Sequence, residues 1–142
     1  MSQTCLIAID GSEPSLRAVN YIIGDAINRR TPPMVHLVNV QPALSTDVSR
    51  FIDKKTIEDF HRESGDTALA SAKEQLARAG LAYSAHILIG EVAPTLVEFA
   101  STHGCGLIVM GAHGFGSLVG LFMGSVTVKV VQLSKVPVVL IK

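Results

Sequence analysis

The chain has 142 residues, of which 48% are hydrophobic and 17% are charged, and its twelve basic and twelve acidic residues give a formal net charge of +0. This composition indicates one well-buried domain over residues 1–142 and argues against a disordered chain. The chain has no basic cluster and no apolar stretch of membrane-spanning length. We therefore expect neither a nucleic acid nor a membrane as a partner.

The N-terminal sequence MSQTCLIAID does not resemble a signal peptide, so we expect a cytoplasmic protein. Its two cysteines, Cys5 and Cys105, each stand at the start of an apolar run. We expect both to be buried thiols rather than disulfide partners.

Five apolar runs have the length and the β-branched content of strands. They cover residues 5–9, 35–40, 84–89, 107–110 and 138–141. Three of them are nearly continuous in hydrophobic residues, which is typical of strands that are covered on both faces.

Four helical segments separate these strands, over about residues 12–30, 48–79, 92–103 and 124–135. Ser12 is a hydroxyl cap for the first segment and is followed by an acid and a proline. Gly80 and Gly104 terminate the second and third segments. We expect the long second segment to break near Gly65.

Strands that alternate with helices indicate βαβ units and therefore an α/β fold with a parallel sheet. Right-handed crossovers favour a doubly wound open sheet of five parallel strands in the order 3-2-1-4-5, with helices on both faces. This order places the first and fourth strands side by side, and ligands of such sheets bind where those two strands end. Asp10 would there face Gly111.

A glycine-rich stretch, GAHGFGSLVGLFMGS, runs from Gly111 to Ser125 between the fourth strand and the last helix. Gly111 would let the backbone approach a ligand, and Gly114 could turn the loop so that its N–H groups converge. Gly124 and Ser125 offer the unpaired N–H groups of a helix start, which favour phosphate. The stretch does not match GxGxxG or GxxxxGK[ST], and a long surface loop with glycine turns is the alternative interpretation.

Asp10 ends the first strand beside this stretch. An acidic residue there can hold a ribose hydroxyl or a hydrated Mg²⁺ ion near phosphates. Alternatively, Asp10 helps to cap the helix that follows Ser12.

With these features the chain resembles the universal stress protein family, of the UspA type. The resemblance rests on IAIDGS at residues 7–12, HLVNV at 36–40, PVVLI at 137–141, and above all the spacing Gly111-x₂-Gly114-x₉-Gly124-Ser125. The pattern G-x₂-G-x₉-G-[ST] is that family's ATP-binding motif. The resemblance therefore implies ATP, with Mg²⁺ on its phosphates, as the ligand.

The resemblance also implies a set of nucleotide-binding residues. Those bordering the adenosine or lining its cleft would be Ala8, Ile9, Asp10, Val40, Met110 and Gly111. Those holding the phosphates or lying at the helix start beneath them would be His113, Gly114, Gly124, Ser125, Val126 and Thr127. Asp10 would meet the metal only indirectly. Core packing explains the apolar members equally well, whereas the glycines and Ser125 are harder to explain in that way.

Two positions depart from the family pattern. Phe115 stands where many members have arginine or lysine, and Ala112 stands where a hydroxyl residue is common, so affinity could be weaker or another adenine nucleotide preferred. His113 matches the pattern and could donate to a phosphate, although an exposed loop histidine is the alternative. The other histidines, at 36, 61, 86 and 103, are dispersed and show no metal-binding spacing.

The function expected from this resemblance is a nucleotide-dependent stress-response switch, in which ATP orders residues 111–125 and alters a surface for an unidentified protein partner. We expect slow hydrolysis at most, because the loop offers no lysine or arginine and no second carboxylate is placed for acid–base chemistry. The resemblance further implies a homodimer through the final strand, Val138–Ile141. A nucleotide-free dimeric interaction protein and an adenine-nucleotide hydrolase are the two alternatives.

Overall fold

A parallel sheet lies at the centre of the computed structural model, which describes residues 3–113 and 123–142. Its strands are β1 (Thr4–Ala8), β2 (Met34–Gln41), β3 (Tyr83–Ile89), β4 (Leu107–Gly111) and β5 (Val138–Ile141). They are ordered β3-β2-β1-β4-β5, and every neighbouring pair is parallel. The predicted five-stranded sheet and its strand order are confirmed.

Helices cover both faces of this sheet, as predicted. They are α1 (Glu13–Ile27), α2 (Thr46–Phe51), α3 (Lys54–Arg78), α4 (Val92–Thr102) and α5 (Ser125–Leu133). One core packs α1 and α3 against Cys5, Ile7 and the other side chains on their face of the sheet. A second core packs α4 and α5 against the opposite face, where Leu6 and Ile108 lie. The alternation of side chains along each strand divides the two cores.

The glycines predicted to terminate helices do so through a left-handed backbone. Gly80 follows α3 with φ 71°, and Gly104 follows α4 with φ 64°. After α3, the N–H of Gly80 donates to the Ala77 carbonyl and the N–H of Leu81 donates to the Leu76 carbonyl. These two hydrogen bonds form a Schellman motif, which satisfies carbonyl groups at the end of the helix.

The long second helical segment breaks at a different place from the one predicted. The chain leaves the helix at Ile52, and Asp53 starts α3 by accepting a hydrogen bond from the Thr56 N–H at 2.8 Å. Gly65 lies buried inside α3, where a Cβ atom would come within 2.5 Å of Ile87. The predicted break near Gly65 is wrong, because this glycine allows α3 to lie close against β3.

Both cysteines are buried free thiols, as predicted. Burial raises the pKa of the Cys5 thiol to about 12 and also raises the pKa of Cys105. Neither thiol is therefore a thiolate near neutral pH. Within the described parts of the chain, no helix is both long and apolar enough to cross a bilayer.

Candidate functional site

A cavity of about 380 Å³ lies at the carboxyl ends of β1, β2 and β4, beside the first turns of α4 and α5. Strands β1 and β4 are neighbours in the sheet, and the chain leaves them toward opposite edges. This is the switch point at which ligands of open α/β sheets bind. The volume falls within the usual range of small-molecule sites, about 300–1,000 Å³.

Eleven of the twelve residues predicted to bind nucleotide line this cavity. They are Ala8, Ile9, Asp10, Val40, Met110, Gly111, His113, Gly124, Ser125, Val126 and Thr127. The twelfth, Gly114, lies outside the described residues, as does Phe115. The structure thus brings the predicted set together around one space, and the role of that set in nucleotide binding stays a prediction.

Sequence reasoning missed five further lining residues, namely Ser15, Val38, Pro42, Val92 and Leu96. The signals for two of them were present in the local pattern. Val38 lies two residues before Val40 on one strand, so both side chains share a face. Leu96 lies four residues after Val92 on one helix, so that pair also shares a face.

The wall formed by β2 and α4 is apolar. Val38, Val40 and Pro42 form its strand side, and Val92 and Leu96 form its helix side. Leu96 and Val38 are almost completely buried, so this wall is continuous with the hydrophobic core. A wall of this kind suits a flat ring of low polarity, such as a nucleobase.

The carboxylate of Asp10 also lines the cavity, just after the chain leaves β1. Its Oδ1 atom accepts hydrogen bonds from the backbone N–H of Ser12 at 2.9 Å and from the Ser12 hydroxyl. Ser12, in turn, caps α1 by accepting from the Ser15 N–H at 3.4 Å. Asp10 therefore orients the cap without being the cap, and its Oδ2 atom has no partner among the described residues.

Asn39 holds the backbone that carries Asp10. This side chain is buried in β2, where its Nδ2 group donates to the Ile9 carbonyl at 2.8 Å. Its Oδ1 atom accepts from the Gln41 side chain at 2.7 Å. Sequence reasoning missed this positioning residue, although a buried amide within the apolar run HLVNV was the available signal.

The start of α5 is joined to the end of β4 by backbone bonds. The Gly124 N–H donates to the Ala112 carbonyl at 2.9 Å, and the Ala112 N–H donates to the Ile141 carbonyl at 2.7 Å. The buried Thr127 hydroxyl donates to the Gly111 carbonyl at 3.2 Å. These bonds fix both ends of the glycine-rich stretch predicted to contact phosphate.

No side chain caps the N-terminus of α5 within the part of the chain that is described. Since the Gly124 N–H is already bonded to Ala112, the open donors are the N–H groups of Ser125, Val126 and Thr127. All three residues line the cavity. Their N–H groups and the positive end of the helix dipole make this side of the cavity attractive to an anion.

Gly111 has a structural role that differs from the expected one. A Cβ atom at this position would lie 2.6 Å from the Pro14 Cβ and 2.9 Å from the Pro14 carbonyl carbon. Its missing side chain therefore allows β4 to approach the first turn of α1. The contact with Pro14 was not expected from the sequence; Gly111 also lines the cavity, and the expectation that it makes room for a ligand stays a prediction.

The described lining of the cavity contains one carboxylate, that of Asp10, and no lysine or arginine. Lys129, one turn beyond the start of α5, pairs with Glu91 at the start of α4. His113 is only partly exposed, and its Nδ1 atom is buried without a partner among the described residues. His113 thus lines the cavity and is not an exposed loop residue.

Three of the histidines interpreted as dispersed lie together. His36, His86 and His103 have ring centroids 5.2–5.9 Å apart, on the α4 face of the sheet. They are distant in the sequence, and β2, β3 and α4 bring them together in the fold. No group of three or more His, Cys, Asp or Glu side chains in the described ranges is arranged to hold a metal ion.

Comparison with known proteins gives a consistent result over the whole chain. A model of the universal stress protein family matches residues 1–142. The universal stress protein YxiE of Bacillus subtilis is 29% identical over 150 residues, which cover 100% of both chains. The universal stress protein MJ0531 of Methanocaldococcus jannaschii is 30% identical over 143 residues, covering 96% of this chain and 80% of that protein.

Solved structures share the fold. That of hypothetical protein MJ0577 of Methanocaldococcus jannaschii has a TM-score of 0.85 at 24% identity, covering 100% of this chain and 96% of that one. An Arabidopsis thaliana family member with AMP bound has a TM-score of 0.70 at 16% identity, covering 99% and 91%. The structure of an Archaeoglobus fulgidus member in complex with dAMP has a TM-score of 0.69 at 22% identity, covering 100% of this chain and 98% of that one. The structure of a member in complex with cAMP has a TM-score of 0.65 at 23% identity, covering 99% of this chain and 96% of that one.

Proposed function

The chain belongs to the universal stress protein family, and on that premise we propose that it binds an adenine nucleotide in the cavity between β1, β4 and α5. ATP carrying Mg²⁺ is the ligand that the G-x₂-G-x₉-G-[ST] spacing favours. The protein would act as a nucleotide-dependent switch in a cytoplasmic stress response, with hydrolysis slow at most.

The observation that carries this proposal is the uncapped start of α5, which opens into the same cavity as an apolar wall. The open N–H groups of residues 125–127 suit phosphate oxygens. The wall around Val40 and Leu96 suits the base, and the free carboxylate oxygen of Asp10 suits a ribose hydroxyl. One ligand with an anionic end, a polar middle and an apolar end satisfies all three.

Mg²⁺ fits this site as part of the nucleotide. This ion keeps several waters and is commonly held by one or two carboxylates together with substrate phosphates. Asp10 is the one carboxylate among the described lining residues, and one of its oxygens is already bonded to Ser12. Asp10 would therefore meet the metal through water, while the metal neutralises phosphate charge.

Efficient phosphoryl transfer would require more than these residues supply. Stabilising the charge of the transition state commonly takes an arginine or lysine beside the metal. The described lining has neither, and Lys129 is paired with Glu91. We therefore propose that the site binds and retains the nucleotide.

The complexes of related proteins with AMP, dAMP and cAMP support an adenine ligand. They also make nucleotides other than ATP candidates for this site. Ala112 and Phe115 replace residues that could bind additional phosphate. ATP, ADP, AMP and cAMP are therefore all required as probes of this site.

The test is to release and identify small molecules from gently purified protein, then to titrate the emptied protein with each adenine nucleotide and with GTP. Stoichiometric adenine nucleotide, or a thermal shift with adenine nucleotides alone, would support the proposal. An empty protein that ignores all of them would favour the nucleotide-free interaction protein. Multiple-turnover ATP hydrolysis that Asp10→Ala abolishes in a folded protein would favour the hydrolase.

We further propose a homodimer through β5, which is an edge strand with half-buried side chains. Val131 and Leu133 on the neighbouring helix α5 expose apolar surface that a second copy could cover. Light scattering should give a mass of two chains for the wild-type protein. Leu140→Lys should reduce the measured mass to that of one chain. A monomeric wild-type protein would contradict the dimer without affecting the nucleotide proposal.

The switch itself has a separate test. Saturating ATP should change the rate at which a protease cuts within residues 111–125, because the ligand would contact both ends of that stretch. Equal rates with and without ATP, at confirmed saturation, would contradict a switch while leaving nucleotide binding intact.

A further inference from the structure

Three histidines form a compact group where α4 ends above the sheet. His36 lies on β2, His86 on β3, and His103 directly follows α4. The His36 Nδ1 and His86 Nε2 atoms are 3.1 Å apart, which is a hydrogen bond between two imidazoles. The His103 ring centroid lies 5.4 Å from that of His36 and 5.9 Å from that of His86.

Phe99 of α4 packs between these histidines. Its ring stacks on His103 with centroids 3.7 Å apart and lies 4.7 Å from the His86 ring. The His103 Nδ1 atom lies 3.0 Å from the Phe99 carbonyl oxygen, to which it can only donate. Aromatic and imidazole rings thus join the C-terminal end of α4 to β2 and β3.

We propose that this histidine cluster is a proton-sensitive contact that holds the C-terminal end of α4 on the sheet near neutral pH and releases it on acidification. The hydrogen bond between His36 and His86 requires one ring nitrogen to accept, so it is lost when both rings are protonated. Three rings within 6 Å of one another also repel when more than one is charged.

Burial, and then the neighbouring histidines, favour the neutral forms of His36 and His86. Burial lowers the pKa of His36, and the charges of His86 and His103 lower it further. Burial and then the charge of His103 lower the pKa of His86. Among the described residues, these histidines of β2, β3 and the end of α4 are the charged groups that act on the two rings, and no carboxylate contributes.

The sign of the pH effect follows from the direction of these shifts. The unfolded chain takes up protons at the ordinary histidine pKa, about 6.5, whereas folded His36 and His86 take them up at lower pH. The free energy of unfolding is therefore highest above that pKa and decreases as the pH falls through it. The loss of stability therefore begins near the ordinary histidine pKa, about 6.5, and continues as the pH falls below it.

The cluster lies directly beside the cavity wall. His36 and Val38 lie two residues apart on one face of β2, and Val38 pairs with His86 across the strands. On α4, Phe99 follows Leu96 by three residues, so both lie on its buried face. Since Val38 and Leu96 line the cavity, release of α4 would also loosen the wall proposed to hold the base.

The first experiment uses the ligand-free protein in buffer with EDTA. The variant H36N/H86Q places amide groups near the original Nδ1 and Nε2 atoms, so it can keep a hydrogen bond without titrating. Between about pH 8 and about pH 5, the wild-type Tm should fall by roughly 5 °C more than the Tm of this variant.

NMR titration of the wild-type histidine rings covers the case in which the double variant does not fold. The His36 and His86 ring protons should titrate below the ordinary histidine range, and amides of the last turn of α4 should lose exchange protection over the same pH range. Ordinary titration of both rings, or equal pH dependence of Tm in wild type and H36N/H86Q, would overturn the proposal.

A second experiment concerns the cavity and rests on the proposed function. The affinity for AMP should weaken about threefold to tenfold more in the wild type than in H36N/H86Q between about pH 7 and pH 5.5. The phosphate of AMP titrates equally with both proteins, so its effect cancels when the wild type is compared with H36N/H86Q. If AMP does not bind at any pH, the proposed function fails while the ligand-free measurements still decide the histidine cluster. Equal weakening in both proteins would overturn the link to the cavity.

Discussion

The hydroxyl of Thr127 donates a hydrogen bond to the carbonyl oxygen of Gly111 across 3.2 Å. The donor lies in the first turn of α5 and the acceptor in the last residue of β4, at the two ends of the glycine-rich stretch. The Thr127 side chain is buried, so water cannot easily replace the bond. This contact sets the position of the open N–H groups at the start of α5 relative to the cavity.

Thr127→Val keeps the shape of this side chain and removes the donor. We expect the free energy of unfolding to fall by about 1–2 kcal/mol, because a buried carbonyl loses a partner. We also expect adenine nucleotides to bind severalfold more weakly, because the start of α5 is no longer fixed. Chemical denaturation and calorimetric titration measure the two effects. Thr127→Ser keeps the hydroxyl and should retain most of the affinity, and an equal loss in both variants would contradict this account.

Gly111→Ala tests the contact between β4 and α1. The added Cβ would meet Pro14, including its backbone carbonyl carbon at 2.9 Å, and a rotamer change cannot move a backbone atom. We expect a loss of about 1–3 kcal/mol or more in the free energy of unfolding. Gly106→Ala is the matched control, because a Cβ there meets nothing within 4 Å. Similar denaturation midpoints for the two variants would show that the proposed collision is absent.

Gly65→Ala tests the close approach of α3 to β3. The new Cβ would lie 2.5–2.7 Å from three side-chain atoms of Ile87, so we expect a loss of about 1–3 kcal/mol despite the higher helix propensity of alanine. Gly24→Ala, in α1 with open space around it, should instead be neutral or stabilising by up to about 1 kcal/mol. Ile87→Ala removes the colliding atoms. In a double-mutant cycle, Gly65→Ala should therefore cost less in the Ile87→Ala background, and strict additivity would count against the contact.

Local sequence patterns predicted the architecture because its determinants are themselves local. Continuous apolar runs mark strands that are covered on both faces, and Ser12 and Gly104 mark helix ends through their immediate neighbours. The handedness of crossovers then left the observed strand order as the first choice. The position of Asp10 at the end of the first strand and the family motif that ends at Ser125 predicted one site, and both residues line one cavity.

Contacts between distant parts of the chain could not be predicted in this way. Gly65 was interpreted as a helix breaker from its residue type alone. Its actual role is to leave room for Ile87, which lies on another element and could not be identified as its neighbour from the sequence. His36 and His86 are 50 positions apart, and only the pairing of β2 with β3 brings their rings together. Gly111 was assigned to a ligand, whereas its closest constraint is Pro14. Local composition contains no information on which side chain lies opposite another in the folded chain.

Ser125→Glu tests the proposed phosphate position by separating stability from binding. A carboxylate in the first turn of α5 interacts favourably with the helix dipole, so the free energy of unfolding should stay the same or rise by about 0.3–1 kcal/mol. The same carboxylate would repel a bound phosphate, and we expect ATP and AMP to bind at least about tenfold more weakly. Adenosine, which has no phosphate, should bind with nearly unchanged affinity.

The neutral variant Ser125→Gln has nearly the same size as Ser125→Glu and controls for steric effects. If Gln weakens AMP as much as Glu does, bulk rather than charge is responsible. If neither variant changes AMP affinity while adenosine still binds, the phosphates do not lie at the start of α5. The N–H groups of residues 125–127 are the open donors on that side of the described cavity. The phosphates would then have to extend toward Asp10 or away from the protein. In that case the ATP-binding motif would not explain the affinity.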